Sequence, residues 1–218
     1  MLAGTAADGR NYTDDEAVLE VHHIVIAGFI VFSLLVEMLR RLAEMPELRE
    51  RCVSEIRERA PNGPLTMEAL EGLQVCMNVV LEAKRLVPLV PLAFGRASRH
   101  FICGGFDVPE GWRVWLALFL NNRDPTIYSD PDRFDPDRFG PERAEHRRHR
   151  LAFIPQGAEP PTGHRCLGLD YSTFLVLAFL ALLLRGYEWE LPPQDLEYDW
   201  KKRPPEPRDG LRVKLRAK

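Results

Sequence analysis

The chain has 218 residues, of which 45% are hydrophobic, and its formal net charge is -3. This length and hydrophobic content are sufficient for one sizeable core, and the composition is not that of a disordered protein. Because no basic face and no interleaving of aromatic and basic residues is visible, we expect no nucleic acid partner. The four cysteines are neither dense nor paired in spacing, and no signal peptide is evident, so the sequence predicts a cytoplasmic protein.

The first predicted element is a long helix over residues 14–45. Thr13 and Glu16 have the spacing of a capping box, in which each side chain accepts a hydrogen bond from a backbone N–H of the other residue. Pro46 marks the end of the helix. Within the helix, Gly28 costs about 1 kcal/mol relative to alanine. This predicts either the close approach of a ligand or ordinary packing against another helix.

The rest of the chain alternates helices, short extended segments and loops. Helices are predicted at about 46–60, 66–86, 116–121 and 167–185, and extended segments at 92–102, 113–116, around Trp189 and at 211–215. The stretches 131–141 and 192–207 are rich in proline and charge and are predicted loops. The predicted fold class is therefore mainly α with small β-sheets.

Two apolar runs raise the question of a membrane. They cover residues 24–36 and 174–184, which are thirteen and eleven residues. A helix that spans a bilayer needs roughly 20 apolar residues. No transmembrane segment is therefore expected, and each run is interpreted as a helix buried on most sides.

A glycine-rich loop with one cysteine precedes the last long helix. It contains Gly163-His164-Arg165-Cys166 and is followed by Gly168. A cysteine at the start of a helix lies where unpaired backbone N–H groups and the helix dipole favour a thiolate. His164 and Arg165 add positive charge beside it. The pattern favours a ligand cysteine, whereas residue type alone would favour a buried inert thiol.

A second motif is Glu82-Ala-Lys-Arg85. Residues three apart on a helix share one face, so Glu82 and Arg85 can pair. Farther along, the segment 131–139 contains Arg133 and Arg138 among prolines and aspartates. Each of these patterns is common on protein surfaces, and a solvated loop charge is the interpretation we keep for Arg133.

Together, these motifs resemble the cytochrome P450 family. The cysteine loop is similar to its heme-thiolate loop, the Glu-x-x-Arg segment to its helix pair, and the segment 131–139 to its meander. The resemblance covers nearly all of the chain. It implies the C-terminal half of the cytochrome P450 fold, from the long central helix onward, as one domain over residues 1–218 that lacks the N-terminal half.

The family binds heme b, with the loop cysteine as axial ligand of the iron. The resemblance therefore implies Cys166 as catalytic iron ligand and a buried charge network behind the heme, formed by Glu82, Arg85 and Arg138. Arg96 and His164 match contacts of the heme propionates. The implied cofactor-binding residues are Cys166, Phe153, Gly163, His164, Arg165, Gly168, Arg96, Ala27 and Gly28.

The cysteine loop departs from the usual family pattern. Phe153 lies thirteen residues before Cys166, farther than the family's aromatic residue, and His164 stands where arginine is usual. This longer loop is similar to that of the bacterial fatty-acid peroxygenase branch. That branch holds a fatty-acid carboxylate with an arginine on the central helix; here His22 and His23 occupy the stretch, either as carboxylate partners or as exposed residues.

The segment that follows Ala27-Gly28 also departs from the family. It reads Phe29-Ile30-Val31-Phe32, so the acid and hydroxyl that deliver protons to iron-bound dioxygen are missing. Ser33 is the only hydroxyl nearby. Both departures favour hydrogen peroxide over dioxygen as the oxidant.

The resemblance implies a heme-thiolate oxidoreductase, a monooxygenase or peroxygenase that inserts oxygen into an apolar or fatty-acid-like small molecule. The monooxygenase route requires electrons from a ferredoxin-like or flavin reductase partner, whereas the peroxygenase route uses peroxide directly. Basic residues before the cysteine loop could face an acidic redox protein or form a solvated loop. They are Arg143, Arg147, Arg148 and Arg150.

Other readings stay open. A complete family member is about twice as long, so the chain is alternatively a truncated non-catalytic remnant or a half-protein that needs a partner. A zinc-binding protein is the remaining alternative, because zinc takes three or four nitrogen and sulfur ligands. Its candidate ligands are His146, His149, His164 and Cys166.

Overall fold

A computed structural model describes residues 9–29, 31–158, 165–202 and 205–218. Its helices are α1 (Asp14–Phe29), α2 (Phe32–Glu44), α3 (Pro46–Arg59), α4 (Met67–Glu71), α5 (Gln74–Leu86), α6 (Leu118–Asn121) and α7 (Leu169–Gly186). Two short 3-10 helices cover Pro136–Phe139 and Glu145–Arg147. Gly163 and His164 lie outside the described residues.

The strands are short and lie at the edges of the helical core. They are β1 (Leu92–Arg96), β2 (Phe101–Cys103), β3 (Phe106–Val108), β4 (Arg113–Ala117), β5 (Tyr187–Glu190), β6 (Tyr198–Asp199), β7 (Glu206–Pro207) and β8 (Lys214–Ala217). They form four two-stranded antiparallel sheets, which pair β1 with β4, β2 with β3, β5 with β8 and β6 with β7. The predicted class, mainly α with small sheets, is confirmed.

The prediction of one helix over 14–45 is wrong, because α1 ends at Phe29 and α2 begins at Phe32. The Val31 N–H donates to the Gly28 carbonyl at 3.2 Å, a three-residue span in place of the four-residue span of an α-helix. Because glycine is a poor helix former, Gly28 lowers the stability of the helix at this position. The capping box is confirmed: the Glu16 N–H donates to Thr13 Oγ1 at 3.3 Å, and the Thr13 N–H to Glu16 Oε2 at 3.0 Å.

The prediction of one helix over 66–86 is also wrong. Helix α4 ends at Glu71 and α5 begins at Gln74, with Gly72 between them. The first turn of α5 is capped by a neighbouring helix: the Glu55 carboxylate on α3 accepts from the N–H groups of Val75 and Cys76 at 2.8 and 2.9 Å. Such a cap satisfies helix-end donors that local sequence leaves unpaired. It allows a new helix to begin there.

Helices α2, α3, α5 and α7 form the core. Helix α7 is long and apolar enough, by length and composition alone, to cross a membrane, although a core helix meets the same criteria. Its buried side chains pack in the main core, and they include Val176, Leu177, Leu180, Ala181 and Leu184. This packing is compatible with a core helix, and the expectation of no transmembrane segment stays a prediction.

Candidate functional site

The buried charge network is centred on α5. Glu82 and Arg85 are both fully buried and form a two-point ion pair, with Arg85 Nε 2.6 Å from Glu82 Oε2 and Nη2 2.8 Å from Oε1. Arg138, on the 3-10 helix Pro136–Phe139, donates from Nε to Glu82 Oε1 at 3.1 Å and is also fully buried. The structure thus brings together the three residues that the sequence grouped.

Backbone carbonyls complete the coordination of both arginines. Arg85 Nη1 donates to the carbonyls of Asn122 and Pro131 at 2.7 and 2.6 Å. Both guanidinium groups also donate to the Arg133 carbonyl at 3.2 Å, while the Arg133 side chain is exposed, as expected. A buried charge is tolerated only when it is paired and hydrogen-bonded. The network therefore fixes the path of the meander.

Glu145 is a fourth member that the sequence analysis missed. Its Oε2 lies 2.6 Å from Arg138 Nη1, its Oε1 lies 2.8 Å from Arg143 Nη2, and Ser129 Oγ donates to it. Burial raises the pKa of Glu145, but the hydrogen bonds from Ser129, Arg143 and Arg138 outweigh burial and lower the pKa to about 2. The available signal was charge balance, since two buried arginines and one glutamate leave one positive charge uncompensated.

An aromatic side chain connects this network to the cysteine loop. The Tyr128 ring centroid lies 4.9 Å from Arg85 Cζ and 5.7 Å from Arg138 Cζ, within the range of a cation–π contact. Its hydroxyl donates to the carbonyl of Ala152 at 2.9 Å. The next residue, Phe153, packs edge-on against Phe139 at a centroid distance of 5.2 Å. The upstream end of the cysteine loop is thereby held against the meander.

Cys166 lies three residues before Leu169, the first residue of α7. Its side chain is exposed, its thiol forms no disulfide, and its N–H donates to the Gln156 carbonyl at 2.9 Å. Arg165 is exposed, with Nη2 3.4 Å from Asp170 Oδ1 in the first turn of α7. A β-carbon built at Gly168 would lie 3.8 Å from Cys166 Sγ, an ordinary contact. Sterics among the described atoms therefore do not explain the glycine at 168.

A buried lysine on α5 contacts residues on both sides of Cys166. Lys84 Nζ is 2.6 Å from Gln156 Oε1 and 2.6 Å from Thr173 Oγ1. Burial lowers the pKa of Lys84 to about 8, although the charges of Cys166 and Asp170 oppose that shift. Lys84 was not predicted as a site residue, because a lysine on a helix ordinarily faces solvent. Local sequence contains no signal that α5 is buried on this side as well.

Three of the residues assigned to the cofactor lie at or near the surface: Arg96 and Ala27 are exposed, and Gly28 is half-buried. Arg96 is exposed at the end of β1 and lines an open cleft of about 520 Å³ with apolar side chains such as Phe94 and Leu116. Ala27 is exposed on α1. Apart from its chain neighbours and its own helix backbone, no described atom lies within 4 Å of a β-carbon built at Gly28. No described neighbour therefore requires a glycine at this position, and the two explanations for it stay predictions.

The residues present fit a heme-thiolate group in their chemistry. The Cys166 thiol is exposed and free of a disulfide, so its sulfur is available as a ligand. The cleft at Arg96 is largely apolar and also contains Arg99. An apolar cleft that is also lined by arginines suits a macrocycle that carries carboxylates.

The zinc alternative finds no support in the part of the chain that the structure describes. Within it, no group of three or more histidine, cysteine, aspartate or glutamate side chains is arranged to hold a metal ion. His146 packs against the Phe139 ring at a centroid distance of 5.0 Å, and His149 Nδ1 accepts from the Leu151 N–H at 3.2 Å. The fourth candidate ligand, His164, lies outside the described residues.

The basic residues before the loop serve the fold to different degrees. Arg143 Nη1 lies 2.6 Å from Asp135 Oδ2, and its Nη2 reaches Glu145, so Arg143 is part of the internal network. Arg148 donates to the Thr126 carbonyl at 3.3 Å and remains exposed, as does Arg150. The two histidines considered for carboxylate binding, His22 and His23, are exposed on α1.

Known proteins match this chain along nearly its whole length. The sequence profile of the family Cytochrome P450 matches residues 1–208. The Mycobacterium tuberculosis protein named cytochrome P450 136 is 34% identical over 213 residues, which are 97% of this chain and 42% of that protein. A β-amyrin 28-monooxygenase of Vitis vinifera is 27% identical over 99% of this chain and 44% of its own length.

Solved structures of cytochromes P450 also superpose on this chain. The retinoic acid-bound cyanobacterial CYP120A1 superposes with a TM-score of 0.89 and 29% identity, covering 100% of this chain and 49% of that chain. The cytochrome P450DA heme domain gives a TM-score of 0.87 at 23% identity, which shows the fold alone. This chain thus spans a little under half the length of the relatives that it matches. Its motifs, its fold and the family profile lead to one conclusion: the chain belongs to the cytochrome P450 family.

Proposed function

We propose that this chain forms the heme-binding half of a heme-thiolate oxidoreductase, with Cys166 as the axial ligand of heme b iron. The observation that supports it is the exposed, free Cys166 thiol at the start of α7, in a chain of the cytochrome P450 family. Heme bound through a thiolate supplies the oxygen chemistry, because the thiolate pushes electron density toward iron and favours O–O cleavage. The protein supplies orientation and the exclusion of water.

Other residues of the chain would surround the cofactor. Phe153, Gly163, His164, Arg165 and Gly168 would form the loop around the sulfur. Arg96 would contact a propionate, which its position beside the apolar cleft supports. Ala27 and Gly28 would face the opposite side of the heme, and the open space at Gly28 supports that assignment.

The substrate that we propose is an apolar or fatty-acid-like small molecule. The names of two relatives are consistent with apolar ligands, since one is a β-amyrin 28-monooxygenase and another was solved with retinoic acid bound. The sequence Phe29-Ile30-Val31-Phe32 favours peroxide as the oxidant. If dioxygen is used instead, a ferredoxin-like or flavin reductase has to supply electrons. A cytoplasmic location fits the cysteine content.

The exposed surface of the chain supports one form of this proposal, in which the chain is a half-protein that needs a partner. Large apolar side chains are exposed on α1 and on the β1–β4 sheet, among them Ile24 at 60%, Val25 at 65% and Phe94 at 78%. Exposed apolar patches of this kind mark surfaces that another part of a protein covers. The remaining half of a cytochrome P450 fold, in the same chain or in another, is the occupant that we propose.

Absorption spectroscopy of the purified chain with reduced iron and carbon monoxide tests heme ligation. We expect the Soret shift that is typical of thiolate ligation, and Cys166→Ala should abolish it. Cys103→Ala is the matched control, because Cys103 is also exposed but lies on β2, and it should leave the spectrum unchanged. Stoichiometric zinc with no heme would refute the proposal.

A further inference from the structure

Lys84 is a buried ammonium group whose described hydrogen-bond partners are all neutral. Its side chain is 1% exposed, and its Nζ lies 2.6 Å from Gln156 Oε1, 2.6 Å from Thr173 Oγ1 and 3.4 Å from Ser172 Oγ. Lysine has three donors on one nitrogen, so three oxygens match its hydrogen-bonding capacity. Residues two apart on a helix point in nearly opposite directions. The Lys84 side chain therefore lies on a different side of α5 from the Glu82–Arg85 pair.

These contacts connect the two ends of the cysteine loop. Gln156 lies near the upstream end of the loop, three residues after Phe153, whereas Ser172 and Thr173 lie in the first turns of α7, beyond Cys166. Gln156 Nε2 also donates to Ser172 Oγ at 3.3 Å. Both hydroxyls donate to the Leu169 carbonyl, at 2.9 and 2.7 Å. A single side chain from α5 therefore holds the loop's two ends together.

The same glutamine also holds the cysteine backbone. The Gln156 carbonyl accepts from the Cys166 N–H at 2.9 Å, while its side-chain oxygen accepts from Lys84 Nζ. A displacement of Gln156 would therefore be transmitted directly to Cys166. Because Lys84 is fully buried, removal of its ammonium would leave the Gln156 amide oxygen and the Thr173 hydroxyl without their donor, which is costly inside a protein.

We propose that Lys84 is a positioning residue that closes the base of the cysteine loop and fixes the place of Cys166. The importance of Lys84 for iron ligation rests on the proposed function, but its hold on the Cys166 backbone does not, and that hold can be measured without heme. A residue that only fills space at this position would be replaceable by methionine, whereas one that bridges three oxygens would not.

Hydrogen exchange of the heme-free chain tests this. Lys84→Met keeps most of the side chain's length and removes the charge-assisted hydrogen bond to Gln156. We expect the Cys166 amide, which donates to the Gln156 carbonyl, to exchange about tenfold faster than in the wild type. Lys201→Met removes an exposed lysine and serves as the matched control, with unchanged exchange. Amides in the middle of α3 should be unaffected in both variants.

Gln156→Leu provides a second route to the same result. It removes the side-chain acceptor and keeps the backbone carbonyl, so it should also accelerate Cys166 exchange, and the double variant should add little to either single change. If Lys84→Met does not fold, Gln156→Leu decides alone. Unchanged exchange at Cys166 in a folded variant would overturn the proposal. Wild-type protein with a protected Cys166 amide and no heme uptake would instead count against the proposed function only.

Discussion

At the scale of single residues, four of the buried charged side chains that the structure describes, two acids and two arginines, form one network. Glu82, Arg85 and Arg138 could be predicted because a helix spacing and a family motif both point to them. Charge balance called for a second acid, but Glu145 could not be singled out, since its partners Ser129, Arg138 and Arg143 converge on it only after the meander has folded. Lys84 was missed for the same reason. Its acceptors lie on segments that are 72 or more positions away in the sequence.

Replacement of Glu82 by alanine tests the network. Loss of one partner of a buried ion pair leaves an uncompensated charge and costs about 3 to 5 kcal/mol. Glu82 binds both arginines and also accepts from the Asp135 N–H at 2.8 Å, so we expect Glu82→Ala to be insoluble rather than soluble and inactive. The exposed Glu68 provides the control, and Glu68→Ala should retain the wild-type soluble yield. A soluble Glu82→Ala protein with an unchanged thermal midpoint would contradict this view of the network.

At the scale of secondary-structure elements, the sequence predicted which segments form helices better than where each helix breaks. Helix α3 begins at Pro46 and α1 begins after its capping box, both of which are local signals. The breaks at Gly28 and Gly72 were not predicted, because an isolated glycine is often tolerated within a helix. At the second break, the deciding group is Glu55, which lies on α3 and caps α5 through space.

The cap from Glu55 makes a quantitative prediction. Glu55→Ala removes the acceptor of two backbone N–H groups at the start of α5, and loss of a helix cap typically costs about 0.5 to 2 kcal/mol. Urea denaturation of both proteins would measure this loss. Glu58→Ala, one turn later on α3 and exposed, should change the unfolding free energy much less. Equal effects of the two substitutions would show that the contact to α5 contributes nothing beyond surface charge.

At the scale of the whole molecule, the resemblance to cytochromes P450 predicted the architecture correctly, from the central helix to the closing strands. It did not predict the break between α1 and α2, which lies where the family has its long central helix. The surface of α1 is the other notable feature, because its exposed apolar residues include Val18 at 67% and Val25 at 65%. A chain with such a surface gains stability when a complementary part covers it. We therefore expect co-expression with the N-terminal half of a relative to increase its soluble, heme-loaded yield.

The protein co-expressed with the N-terminal half, here called the complemented form, also allows a test of which oxidant is used. By the resemblance, the apolar stretch Phe29-Ile30-Val31-Phe32 stands where the family supplies an acid and a hydroxyl, so these residues would hold no group able to deliver protons if dioxygen were the oxidant. Hydrogen peroxide already contains the required electrons and protons. The complemented, heme-loaded protein should therefore oxidise a fatty acid or another apolar substrate faster with peroxide than with dioxygen, a reductase and nicotinamide. Parallel assays of product formed per oxidant consumed measure the difference. Tightly coupled turnover with the redox chain and none with peroxide would assign the protein to the monooxygenases, whereas bound heme without either activity would favour a non-catalytic remnant.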